Sequence, residues 1–153
     1  MKTIKKQPAT AGFTLIEILI VIGIIAILAA IVLVAVNPAK QFAKANNAQR
    51  ASNINAILNA VGQVTIDYKG AFPVTIPATP TEIGSATGKI DLCGTLVADY
   101  LPALPADPTL TDQSIDKAEC TASAGYTTGY KISKDIYNRV TVSTSDGTIS
   151  VIR

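Results

Sequence analysis

Residues 13 to 36 form one apolar run of 24 residues in which Glu17 is the only charge. At roughly 1.5 Å per helical residue it reaches about 36 Å, enough to cross a bilayer. Three lysines, Lys2, Lys5 and Lys6, and no acid precede it. That basic end is expected to stay in the cytoplasm, which puts the rest of the chain outside. Lys40 and Lys44 beyond the run weaken this bias without reversing it. The run is too long for the apolar region of a secretory signal peptide, about 7 to 15 residues. A plain anchor fits the length but not Glu17, because a carboxylate in a membrane segment needs a partner, a proton or a shallow position.

The remaining composition narrows the chemistry. The 153 residues are 48% hydrophobic, 5% aromatic and 16% charged, with a formal net charge of +2. There is no histidine, which excludes a Ser-His-acid triad, a Cys-His pair and a His-ligated zinc. Two cysteines, Cys93 and Cys120, are too few for an all-cysteine zinc site. They suffice for one disulfide if that part of the chain lies outside the cytoplasm; two reduced, buried cysteines are the alternative. Without the leader's three lysines, ten basic and eleven acidic side chains remain. Such a balance gives no electrostatic reason to expect a nucleic-acid partner.

The string Gly12-Phe13-Thr14-Leu15-Ile16-Glu17 follows a short basic leader and opens the apolar run. It resembles the processing site of type IV pilins and type II secretion pseudopilins. The resemblance implies cleavage after Gly12 by a prepilin peptidase, N-methylation of Phe13, and an assembly role for Glu17. Cleavage would place an ammonium at Phe13, four residues from the Glu17 carboxylate. In staggered parallel helices, Glu17 of one subunit could neutralise the Phe13 amine of its neighbour and set register. The resemblance is strong over about the first 60 residues, and reaches the remainder by architecture alone.

Asn37-Pro38 follows the run and allows two outcomes, a kinked helix or a fresh helical start. Residues 39 to 68 read as an amphipathic helix whose stripe is Ile54, Ile57, Leu58, Val61, Val64 and Tyr68. Residues 69 to 80 are rich in proline and glycine and read as a loop. Lys89 to Leu92 suits a short strand and Leu96 to Leu101 a helical turn. The proline-spaced segment 101 to 108 is similar to a stretch after the long helix of major pseudopilins. Thr109 to Ser123 reads as a surface loop. Tyr126 to Ser133, Ile136 to Thr144 and Thr148 to Ile152 read as three strands of a meander. Lys134-Asp135 and Ser145-Asp146-Gly147 supply the turns. A bond between Cys93 and Cys120 would close a loop of about 28 residues, worth roughly 3 to 4 kcal/mol.

Asp107, Asp112, Asp116 and Glu119 cluster in sequence, and some major pseudopilins bind calcium in such a region. Their spacing matches no calcium-loop signature, so the expectation is a solvated loop with no metal and no cofactor. No carboxylate pair is set up for glycosidase work, so no catalytic residue is nominated and an enzyme is not expected.

The expected organisation is a leader (1–12), a transmembrane or filament-core half of the long helix (13–36), its amphipathic half (37–68) and a globular head (69–153). The expected fold is α+β: a long N-terminal helix, half transmembrane, packed by its C-terminal half on a small antiparallel sheet. The resemblance implies a homo-oligomeric filament subunit, stored in the cytoplasmic membrane and handled by the peptidase, methyltransferase and inner-membrane assembly machinery. The lipid bilayer is its first partner, and the assembled filament would stand at the cell surface or on the periplasmic side. The alternative is an uncleaved single-pass anchor bearing an external binding domain.

Overall fold

A computed structural model describes residues 12–111, 114–121 and 125–153. The described residues fall into two compact units that divide between Phe42 and Ala43.

The first unit is dominated by helix α1, Leu15–Val36, 22 residues long. None of its side chains is buried. Asn37 ends it in a left-handed conformation, φ 43°. Helix α2, Pro38–Asp67, starts at the next residue. Asn37 Oδ1 accepts from the Lys40 N–H at 3.4 Å, and proline sits at the first helical position, where its missing N–H costs nothing. Of the two outcomes open at Asn37-Pro38, the chain takes the fresh start.

The second unit is built on the later turns of α2. Ile54, Ile57, Leu58, Val61 and Val64 are buried, as their spacing predicts. Tyr68 is not: the helix ends at Asp67, Lys69 and Gly70 turn to positive φ, and Gly70 N–H closes the end on Thr65 O at 2.8 Å. Tyr68 therefore leaves the stripe and is exposed.

Four strands form one antiparallel sheet: β1 (Thr81–Gly84), β4 (Thr127–Lys134), β5 (Val140–Thr144) and β6 (Ser150–Ile152), in the order β1-β4-β5-β6. Its last three strands make the expected meander, with Ile132 opposite Val142 and Val142 opposite Val151. The fourth, β1, pairs Thr81 with Ile132 and was not expected after so proline-rich a stretch. Tyr130, Ile132 and Val142 point into one core with the α2 stripe, Ile83, Leu92, Cys93 and Leu96.

Several boundaries differ from expectation. Residues 136 to 139 are not strand, because Asp135 captures them in a turn. Its carboxylate accepts from the N–H groups of Tyr137 (2.8 Å) and Arg139 (2.9 Å) and from Arg139 Nε (2.7 Å). Ile136 (86% exposed) and Tyr137 (73% exposed) face solvent there, their strand propensity overridden by Asp turn chemistry. Lys89 to Leu92 is not a strand and makes one bridge, Ile83 to Ile90. The short helix α3 is Cys93–Leu96 and shares only Leu96 with the helical turn expected at Leu96 to Leu101, since Val97 is already extended. The region read as a surface loop from Thr109 holds β3 (Ser114–Ile115), paired with β2 (Leu104–Pro105), and helix α4, Lys117–Cys120. Ile115 is buried against Leu104 there, one apolar residue being enough to pull a polar segment down.

Candidate processing and assembly site

Gly12 and Phe13 precede α1 without regular secondary structure, and Phe13 is 86% exposed. The lysines of the leader, Lys2, Lys5 and Lys6, lie outside the described residues. Thr14 is the N-cap of α1 (φ −81°, ψ 153°) and builds a capping box with Glu17. The Thr14 hydroxyl oxygen accepts from the Glu17 N–H at 3.3 Å. In return, Glu17 Oε2 accepts from the Thr14 N–H at 2.8 Å and from the Thr14 hydroxyl at 2.7 Å. The pattern Thr-x-x-Glu before an apolar run is a recognised helix start, and it is the signal that sequence reading passed over at this site. The carboxylate thus sits at the positive end of the helix dipole, folded back on its own first turn. The 22 residues of α1, Glu17 among them, are long and apolar enough to cross a membrane by length and composition.

In the second unit the structure joins Cys93 to Cys120, with the Cα atoms 5.6 Å apart. Cys93 is fully buried. The acids expected in a solvated loop are used differently. Asp107 is buried, its side chain 7% exposed, and meets Arg50 of α2 in a forked pair: Nε to Oδ2 at 2.8 Å and Nη2 to Oδ1 at 3.1 Å. Burial pushes the Asp107 carboxyl up, but hydrogen bonds from Arg50 and Thr109 outweigh it and hold its pKa below the ordinary value. The same bond to Asp107 raises the pKa of Arg50. Arg50 Nη1 also lies 3.9 Å from Asp146. Hydrogen bonds from Thr144 and Thr148 hold Asp146 at about 2. Asn53, one turn along from Arg50, donates to Ala106 O at 2.9 Å and to the Tyr130 hydroxyl at 3.0 Å. Asp116 and Glu119 form the capping box of α4, and Asp112 lies outside the described residues. Among the described residues, no group of three or more potential metal ligands comes together.

A basic leader, Gly12-Phe13 just before a capped helix, and a carboxylate in the first turn of an exposed apolar span are now in place. Residues 8–33 match the family model of the prokaryotic N-terminal methylation motif. This motif is the type IV pilin and pseudopilin signature. It spans Gly12-Phe13, the capping box and most of α1, and stops short of the second unit. No curated protein and no solved structure matches the chain. The methylation motif, the long apolar helix that it largely covers, and the small four-stranded antiparallel sheet give a pilin-like α+β architecture. Proteins bearing the motif are structural subunits, and the motif implies processing by a prepilin peptidase from a membrane-anchored precursor.

Proposed function

We propose that this chain is the precursor of a structural subunit of a type IV pilus or pilus-like filament. The precursor sits in the cytoplasmic membrane with residues 1–12 inside and residues 69–153 outside. A prepilin peptidase cuts after Gly12, Phe13 is N-methylated, and copies of the mature chain assemble by packing their apolar helices. The observation that carries this reading is the conjunction of the methylation motif with an α1 that buries none of its residues in its own chain. Such a surface needs lipid first and sister helices afterwards.

Glu17 has a defined part in this scheme. Its Oε2 is engaged by Thr14, and among the described residues no hydrogen bond reaches Oε1. That oxygen is left to accept the Phe13 ammonium of a neighbouring copy. An ion pair formed in a low-dielectric setting costs far less than either charge alone.

Mass spectrometry of the purified amino terminus, with imaging of cell-surface filaments, tests the reading. A methylated Phe13 terminus and filaments that vanish with the gene are expected. An intact Met1 in cells that hold the peptidase would replace this reading with an uncleaved, anchored external domain.

A further inference from the structure

Asp107 stands near the middle of the loop that the Cys93–Cys120 disulfide closes. Arg50 grips that midpoint through its fork at 2.8 and 3.1 Å. Asn53 holds the neighbouring Ala106 carbonyl at 2.9 Å. On the sheet side, the Asp107 N–H donates to Thr128 O at 2.8 Å. Gly129, at φ +71°, leaves room for this approach: a Cβ there would come within 3.0 Å of the Asp107 Cβ. Leu104 and Ile115, on either side of the midpoint, are buried and paired. None of these contacts uses a cysteine.

We propose that Arg50 is a positioning residue for the disulfide. In the reduced chain, its clasp on Asp107 seats the middle of the loop against α2 and holds Cys93 and Cys120 within bonding reach. Pinning the midpoint divides one long loop closure into two shorter ones, each with a smaller entropy cost. The covalent bond then forms on a loop already in place. Coupling between two equilibria is reciprocal, so the clasp raises the effective concentration of the thiol pair and the disulfide in turn favours the clasp. The oxidation itself is thiol–disulfide exchange with a small disulfide such as oxidised glutathione. One cysteine thiolate attacks it, forming a mixed disulfide and releasing one glutathione. The second cysteine thiolate attacks the protein sulfur of that mixed disulfide and releases the other. Two cysteine thiols lose their protons and are oxidised; one glutathione disulfide is reduced to two thiols, which take those protons up.

The test uses the full-length chain in detergent micelles, equilibrated with reduced and oxidised glutathione, then alkylated and weighed by mass spectrometry. The ratio of forms gives the effective concentration of the thiol pair. Arg50→Gln and Asp107→Asn should each lower it at least tenfold, and the double variant no further. Arg50→Lys keeps the charge but loses the fork and should lower it by a smaller factor. Val142→Ala, a core change in β5, serves as the control for general destabilisation and should leave it within twofold. Circular dichroism of each reduced variant reports whether the fold persists. Values within twofold of the parent for Arg50→Gln and Asp107→Asn overturn the proposal. Where those two variants lose the fold, a parental value for folded Arg50→Lys overturns it instead. An equal fall in Val142→Ala also overturns it.

Discussion

Thr14 directs both its backbone N–H and its hydroxyl at one oxygen of Glu17, at 2.8 and 2.7 Å. One carboxylate therefore has two separable properties: it caps the helix, and it carries a charge at the start of an apolar span. Glutamine serves at the same capping-box position without the charge. Glu17→Gln is thus expected to insert like the parent and to fail in filament assembly, and Glu17→Ala to fail likewise. Membrane fractionation and electron microscopy read the two steps; normal filament yield from either variant would remove Glu17 from the assembly mechanism.

Thr14 can be tested by its hydroxyl. Thr14→Val removes the acceptor for the Glu17 N–H and should weaken the first turn by about 1 kcal/mol, whereas Thr14→Ser should retain it. Hydrogen exchange of the amides of Glu17 and Ile18 in micelles should quicken in the first variant alone.

The disulfide should matter to the stability of the second unit. Cys93→Ser with Cys120→Ser is expected to cost about 2 to 5 kcal/mol. Urea unfolding followed by circular dichroism measures this, and reduction of the parent should reproduce the shift. A coincident midpoint with and without reductant would contradict it.

The Arg50–Asp107 pair predicts acid sensitivity of a stated sign. The folded Asp107 pKa lies below its ordinary 3.8, so its contribution is complete above that value. It is lost as pH falls through the folded pKa, because the unfolded chain binds the proton first. Asp146, at about 2, acts in the same direction. The urea midpoint should therefore fall between about pH 4 and pH 2, and Asp107→Asn should flatten part of that slope. At neutral pH, Arg50→Gln leaves a buried carboxylate without its partner and should cost about 3 kcal/mol.

The legible parts of this chain were those in which pattern repeats. An apolar run of 24 residues, a stripe at spacings of three and four, and valines alternating with polar residues each state their structure several times over. The α2 stripe from Ile54 to Val64 and the β4–β5–β6 order follow from such repetition. What escaped was decided by single contacts. Strand β1 has four residues and exists because β4 offers it an edge. Asp107 reads in sequence like its acidic neighbours, and it is distant partners, Arg50 57 positions away and Thr128 on β4, that hold it out of solvent. Asp135 ends a strand with one carboxylate. At the amino terminus, the methylation motif was legible as a resemblance, while the Thr14 box was written in four residues and overlooked.

Among the described residues, α1 contributes nothing to an interior, and such a helix answers to a different selection from the rest of the chain. Substitutions along α1 leave the core around Tyr130 and Ile57 untouched. If the proposed function holds, its sequence answers to the thickness of a bilayer and the fit of neighbouring copies, while the body built on Ala43–Arg153 answers to its own core.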